Sequence, residues 1–260
     1  MTLFAILLLA HFWTDFLIQS DQMARCKRST KLAVKWYPLL GHALTQVPMV
    51  VGIWLIGTLL RVANWPFLET FGISLIIVVL THWLIDVTKQ NCQPILKRAL
   101  RLKPNQVPLI SYVLDQVLHL VVIVIVSELS GTNWQSTTIS RWLLAASVII
   151  ATLYFADYFI SLFLKSLDLN VERLPDRAQL GRHIGRLERL AILLLCYTNN
   201  VASIAVVVAI KALTRFRAIE ANEHHFAEYY LIGSLLSLIF GCLGGYLLKT
   251  HLKIHKKSDR

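Results

Sequence analysis

Seven stretches of this chain are apolar enough, and about long enough, to cross a lipid bilayer. Nothing constrains its fold more. A crossing helix needs about 20 mostly apolar residues, and residues 2–19, 38–62, 67–89, 107–128, 142–164, 187–213 and 229–249 qualify, the first short and the sixth long. Hydrocarbon offers backbone N–H and C=O groups no partner, so such segments fold as helices. The expected fold class is all-α: a polytopic transmembrane bundle of about seven spans. Composition agrees, since only 16% of residues are charged and 56% are hydrophobic, against roughly 25% charged in soluble domains. The opening MTLFAILLLAHFW has no basic lead and no small-residue cleavage site, so it reads as a retained first span.

Charge sorts the loops. Arg25, Lys27, Arg28, Lys31 and Lys35 follow the first span, and Lys97, Arg98, Arg101 and Lys103 follow the third. Arg173, Arg177, Arg182 and Arg186 follow the fifth, and Lys253, Lys256, Lys257 and Arg260 form the tail. The turns near Asn64 and at SGTNWQSTTIS carry almost no basic residues. Basic loops face the cytoplasm, which predicts the N-terminus outside and the C-terminus inside. Lys211, Arg215 and Arg217 then fall outside, against the rule and partly offset by Glu220, Glu223 and Glu228. The net charge of +11 points to anionic lipid, not nucleic acid. Residues 1–130 form a four-span part and 131–260 a three-span part with a basic cytoplasmic segment, expected to make one structural unit. No repeat at solenoid period is visible. The four scattered cysteines contain no C-x-x-C pair, so neither a disulfide framework nor a thiolate zinc site is indicated.

Polar residues in three of the apolar segments follow one pattern. His11 and Asp15, His82 and Asp86, and Asp115 and His119 are each four apart, so each pair shares one helix face. His42 adds a fourth imidazole from the second segment. At 1.5 Å rise per residue, Asp15 and His42 lie roughly 6 Å from the cytoplasmic end of their spans and Asp115 roughly 12 Å inside its own. An Asp near the bilayer centre costs at least ~2.5 kcal/mol and faces the bundle interior. Clustered carboxylates repel unless a cation or proton neutralises them. Imidazoles with carboxylates suit zinc, manganese, iron or magnesium. The expected metal ligands are therefore His11, Asp15, His42, His82, Asp86, Asp115 and His119. Asp15, Asp86 and Asp115 are the carboxylates from which a catalytic base would come. Gln19, Gln116 and Asp157 are supporting candidates, together with Asp21, Gln22 and Tyr112. Each pair read alone is equally an intrahelical packing lock.

In the second half, GRHIGRLERL sets Arg182, Arg186 and Arg189 on roughly one helical face. Such a strip can dock phosphate headgroups or simply mark a basic stop at the interface. Asp157 is a member of the polar site or a partner for Arg189. GCLGG in the last span reads as close helix packing.

The chain resembles a bacterial inner-membrane family known only as a domain of unknown function, DUF3307. The resemblance rests on HFWTDFLIQSDQMARCK, LLGHAL, HWLIDVTK and LDQVLHL. Longer members have a second half similar to GRHIGRLERLAILLL, ALTRF and AEYYLIGSLLS, although ALTRF lacks a lysine-serine pair expected there. The resemblance implies a fold, a site and a bacterial cytoplasmic-membrane location, but no activity. Membrane metal-dependent hydrolases with His/Asp motifs are similar in outline, by analogy only. Three functions fit the residues. The first is a metal-dependent hydrolase of a lipid or lipid-linked phosphate, with membrane lipids as partners. The second is a proton-coupled carrier using the same polar residues. The third is a non-catalytic assembly or sensor subunit.

Overall fold

The first helix of the computed structural model, α1 (Thr2–Trp13), is buried on nearly every side: Leu3, Ala5, Ile6, Leu7, Leu9, Ala10 and His11 all lie inside. A helix apolar all round seeks burial, and this short one serves as the axis of its unit. The structure describes residues 1–18, 32–62, 65–131, 134–167, 178–220 and 224–253. Among them it is helical throughout, with no strand. A π-turn, Thr14–Ile18, extends α1. Then come α2 (Leu32–Leu44), α3 (Gln46–Leu59), α4 (Leu68–Ala99), α5 (Val107–Leu129) and α6 (Thr138–Ile150). A second π-turn, Ala151–Phe155, leads into α7 (Ala156–Ser166), followed by α8 (Ala178–Tyr197), α9 (Ala202–Glu220) and α10 (His224–Lys253).

Among the described residues, five helical runs are long and apolar enough to cross a membrane: Trp36–Leu59, Leu68–Ala99, Val107–Leu129, Thr138–Ser166 and Ala227–Leu252. Thr2–Ile18 and Ala202–Leu213 are shorter apolar helices. The expected single span over 187–213 is instead two helices. Asn199 takes a left-handed conformation (φ 69°). Its N–H bonds the Cys196 carbonyl, and the Asn200 N–H bonds that of Leu195. This is a Schellman stop with asparagine in the glycine position. Glu188 of α8 pairs with Lys211 of α9, so the two helices run antiparallel as a hairpin.

The chain divides into two compact units, Met1–Ser147 and Val148–Arg260. In unit 1, Leu3, Ile6, Leu7, Val50, Phe71, Val78, Ile123 and Val126 form one apolar core around α1. The run into α6 joins it through the Phe4–Trp134 ring contact and a Thr2–Thr137 hydroxyl contact. Thr137 and Ser140 cap α6 reciprocally, each side-chain oxygen accepting the other's N–H. The α2–α3 break at Thr45 lies three residues before Pro48, whose ring clashes with the carbonyl four residues back. Thr45 Oγ1 donates to the His42 carbonyl there, at 2.6 Å.

Unit 2 packs α10 along α7 and α8. A Cβ on Gly245 would lie 2.6 Å from the Leu193 carbonyl oxygen, and one on Gly241 2.7 Å from the Ile192 side chain. Gly244 and Gly233 face Thr152 and Leu164, so α10 runs antiparallel to α7. The small residues of GCLGG let backbones approach, as their sequence suggests.

Candidate metal centre

Every helix of unit 1 that contributes to the apolar core changes character in one direction. α1 passes from Leu3, Ile6 and Leu7 to His11 and then Asp15; α4 passes from Phe71 and Val78 to His82, Asp86 and Lys89. α5, running the other way, passes from Asp115, Gln116 and His119 to Ile123 and Val126, and His42 and Gln46 precede Val50. The polar side chains of four segments therefore meet at one end of the core. His11 and His42 are wholly buried, and His82, Asp86, Asp115, Gln116 and His119 nearly so.

Asp15 is the hub. His42 Nε2 donates to its Oδ1 at 3.1 Å, and Gln116 Nε2 donates to its Oδ2 at 2.9 Å. His82 Nε2 stands 3.3 Å from Oδ1, and His11 Nε2 3.9 Å from Oδ2. His11 Nε2 also meets Gln116 Oε1 at 3.3 Å, where the amide oxygen accepts. Asp86 Oδ2 lies 3.9 Å from both His42 Nε2 and His82 Nε2. The rings form a chain, with His82 centred 4.3 Å from His119 and 5.3 Å from His42.

His119 is the imidazole whose fixed tautomer leaves Nε2 without a proton. His119 Nδ1 lies 2.8 Å from the Asp115 carbonyl oxygen, one turn back. That contact requires an N–H at Nδ1, so the neutral ring carries its lone pair on Nε2. His119 Nε2 and Asp115 Oδ1 are buried without a hydrogen-bond partner, and His82 Nε2 has only Asp15 Oδ1 at 3.3 Å, off the hydrogen-bond direction. Buried polar atoms are almost always satisfied, and His119 Nε2 and Asp115 Oδ1, orphaned in one ligand group, are electron-pair donors that could receive a cation. The Nδ1 atoms of His11, His42 and His82 are also orphaned, and of the four imidazoles only His119 has the backbone-anchored second nitrogen common in metal sites.

Three groups of ligand atoms lie within 4.8 Å of one another: His11, His82 and His119; Asp15, His42 and His82; and Asp86, Asp115 and His119. The last two share no residue, so neither draws on a ligand of the other. Atoms bound tetrahedrally to one ion at ~2.1 Å lie about 3.4 Å apart, so a group at the outer limit of 4.8 Å would have to close in around an ion.

Sequence reasoning missed three residues. Lys89 Nζ lies 2.7 Å from Asp115 Oδ2. It sits three residues after Asp86 and seven after His82, on the same helical face, and that spacing was the available signal. Gln46, four after His42, is buried with both amide atoms unpartnered, and so is the Thr14 hydroxyl beside Asp15. The expected third span ends at Lys89, whereas α4 runs ten residues further to Ala99; its stem position is what lets Lys89 reach α5.

Gln116 joins the cluster, and Tyr112 is buried one turn before it on α5. Gln19, Asp21 and Gln22 lie outside the described residues. Asp157 belongs to unit 2, where Arg186 and Arg189 both grip its carboxylate. Arg189 is buried and also donates to the Leu153 carbonyl at 3.0 Å, inside the π-turn. Arg186 stacks on Tyr154 at 4.3 Å. Arg182 is exposed. Among the strip's three arginines, two are thus engaged in holding α8 to α7.

No curated protein and no solved structure matches the chain. The family model for a protein of unknown function, DUF3307, matches residues 3–145. That stretch contains all four imidazoles, the three carboxylates, Gln116 and Lys89; the second-half segments GRHIGRLERL, ALTRF and AEYYLIGSLLS fall beyond it. The match covers more than half of the sequence, and the chain belongs to the DUF3307 family.

Proposed function

We propose that unit 1 holds one or two divalent ions (zinc, manganese, iron or magnesium) within the membrane and that the protein hydrolyses a lipid or lipid-linked phosphate. The observation that carries this is the pair of buried, unpartnered donor atoms His119 Nε2 and Asp115 Oδ1, which with Asp86 form one ligand group. Asp15, His42 and His82 would hold one ion, and Asp86, Asp115 and His119 a second, with His11 able to replace a ligand beside His82 and His119. A bound ion would polarise a phosphoryl oxygen and acidify water. Asp15, already accepting from His42 and Gln116, orients imidazoles. With a single ion on Asp15, His42 and His82, Asp86 stays uncoordinated and would take the proton as general base. Exposed Arg182 is the member of the basic strip assigned to headgroups.

The location proposed is the bacterial cytoplasmic membrane, with the N-terminus outside and the cluster toward the cytoplasmic leaflet; the basic segments after residues 18 and 89 support it. The α8–α9 hairpin revises the topology of the second half. A hairpin returns α9, with residues 211, 215 and 217, to the side of the basic α7–α8 loop. This would remove the exception at 211–217 but put the end of α10, with Lys253 and the Lys256, Lys257 and Arg260 that follow, on the opposite side, so one exception to the positive-inside pattern replaces another.

The test is phosphate release from lipid phosphates by purified protein in mild detergent, with Asp86→Asn alongside. Metal-dependent turnover lost in folded Asp86→Asn supports the hydrolase. A second reading, a structural lock, is favoured by the direct bonds from His42 and Gln116 to Asp15. It predicts that Asp15→Asn unfolds unit 1 and that no metal binds.

A further inference from the structure

The polar cluster has an apolar approach. Between α4 and α5 lies a cavity of about 270 Å³, lined by Leu84, Thr88 and Lys89 against Leu114, Asp115 and Leu118. A second cavity, about 420 Å³, continues along the same two helices, with Ile77 and Thr81 against Val122 and Ile125. The lining residues follow one another by single turns: Thr81 precedes Leu84 by three residues, and Leu118 precedes Val122 by four. Three- and four-residue steps keep to one helix face, so the two cavities form one track. Its lining runs from Thr70 to Leu96, roughly 39 Å along α4, and the stretch from Lys89 back to Ile77 is roughly 18 Å, close to one leaflet of the ~30 Å hydrocarbon core. Leu84, Leu118 and Ile125 on it are half-exposed. Thr81 returns its hydroxyl to the Ile77 carbonyl at 2.7 Å, which leaves little polar surface on the apolar part. Charge enters the track at one place, where Lys89 and Asp115 line the wall beside Gln93 and Ser111; Thr70 and Ser130 line its far end. Asp115 belongs equally to the cluster of buried histidines.

We infer that this track seats one acyl chain of a phosphate-headed bilayer lipid, with the headgroup held at Lys89 beside the cluster. The medium around a crossing helix is hydrocarbon, so an acyl chain is what fills a track of this lining. An ammonium has three donors. Asp115 takes one, and two remain for phosphate oxygens. Three carboxylates around one ammonium repel a phosphate unless a cation sits among them; in that respect the inference rests on the proposed metal centre and names the substrate's mode of entry.

The test uses the full chain in phosphatidylcholine nanodiscs containing phosphatidic acid with a diazirine on its acyl chain. Photolabelled peptides are mapped and bound metal is counted on the same samples. The expected result is label concentrated on 84–96 and 114–118 and competed by unlabelled phosphatidic acid. Leu118→Trp, and Leu114→Trp as a second filler at an exposed position, abolish that label while metal content stays at the wild-type value. Lys89→Met weakens competition by phosphatidic acid about ten-fold, the equivalent of one charge-assisted hydrogen bond, and leaves competition by diacylglycerol, which has no phosphate, unchanged. Label spread evenly over lipid-facing residues such as Val206 and Ile239, without competition, means bulk lipid only and overturns the inference. Metal without saturable label overturns the track alone; saturable label without metal supports the track and overturns the metal centre.

Discussion

Replacing Lys89 by Met tests how unit 1 balances its buried charge. Lys89 Nζ stands 2.7 Å from Asp115 Oδ2. At that distance and an effective dielectric near 20, the attraction is roughly 6 kcal/mol before desolvation is subtracted. Asp115 is 3% exposed and the lysine side chain 24%. Removing one partner of a fully buried pair destabilises by about 3–5 kcal/mol because the other charge is left behind. Two features reduce that here: the lysine is partly exposed, and Gln116 Nε2 still donates to Asp115 Oδ2 at 3.3 Å. The expected loss in metal-free protein is therefore about 2–3 kcal/mol, seen as a fall in Tm of about 5–10 °C for a chain of this size. Lys89→Met with Asp115→Asn, which removes both charges, recovers most of it, so the double-variant cycle shows coupling above ~1.5 kcal/mol. Saturating divalent metal shrinks the single-variant loss, since an ion at Asp115 Oδ1 takes over neutralisation. The assay is thermal melting in mild detergent followed by size exclusion. Additive losses in the cycle, or no loss in the single variant, would refute the reasoning.

In unit 2, Gly245→Ala brings a methyl against the Leu193 carbonyl and should destabilise by about 1–3 kcal/mol, whereas Gly52→Ala, with open space around it, gains up to about 1 kcal/mol of helix propensity; chemical melts compare them. Arg189→Leu strips the buried Asp157 of one of its two arginines and the Leu153 carbonyl of its donor, so it should lower stability by about 2–4 kcal/mol while Arg182→Ala changes it by less than about 0.5. The hairpin at Asn199 predicts that a reporter fused after Leu252 reports the side opposite to one fused after Ser166; the same side for both would show that 187–213 crosses as one span.

Much of unit 1 was legible because two strong signals coincide in it. Apolar length marks the spans, and ionisable residues inside them stand out against hydrocarbon. His11, His82, Asp115 and their partners were visible from four-residue spacing alone, and the meeting of four imidazoles followed from depth along each span. Lys89 was hidden because a lysine at the end of an apolar run reads as the interface, whereas α4 continues well past it. Gln46 was hidden because an uncharged amide carries no penalty large enough to notice, and its four-residue relation to His42 crosses the Thr45 break. The division of 187–213 was obscured by its apolar flanks. Local backbone chemistry at Thr198-Asn199-Asn200, where asparagine tolerates positive φ, outweighed a hydropathy pattern that continues through it. In the arginine strip, charge sequence does not reveal whether a guanidinium faces lipid phosphate or a carboxylate on a neighbouring helix; Asp157 decided it for two of three.

The central claim is that this cluster is a metal centre, and bound metal per chain tests it most directly. Protein purified without chelator, and again after incubation with zinc, manganese, iron or magnesium, is measured by elemental mass spectrometry beside His82→Ala and His119→Ala variants that remain monodisperse. The account predicts about one or two ions per wild-type chain, in line with two disjoint ligand groups, and loss of at least one in each variant. A folded wild type that retains no divalent ion under any of these conditions would contradict it, and the four histidines would then be helix locks gathered around Asp15.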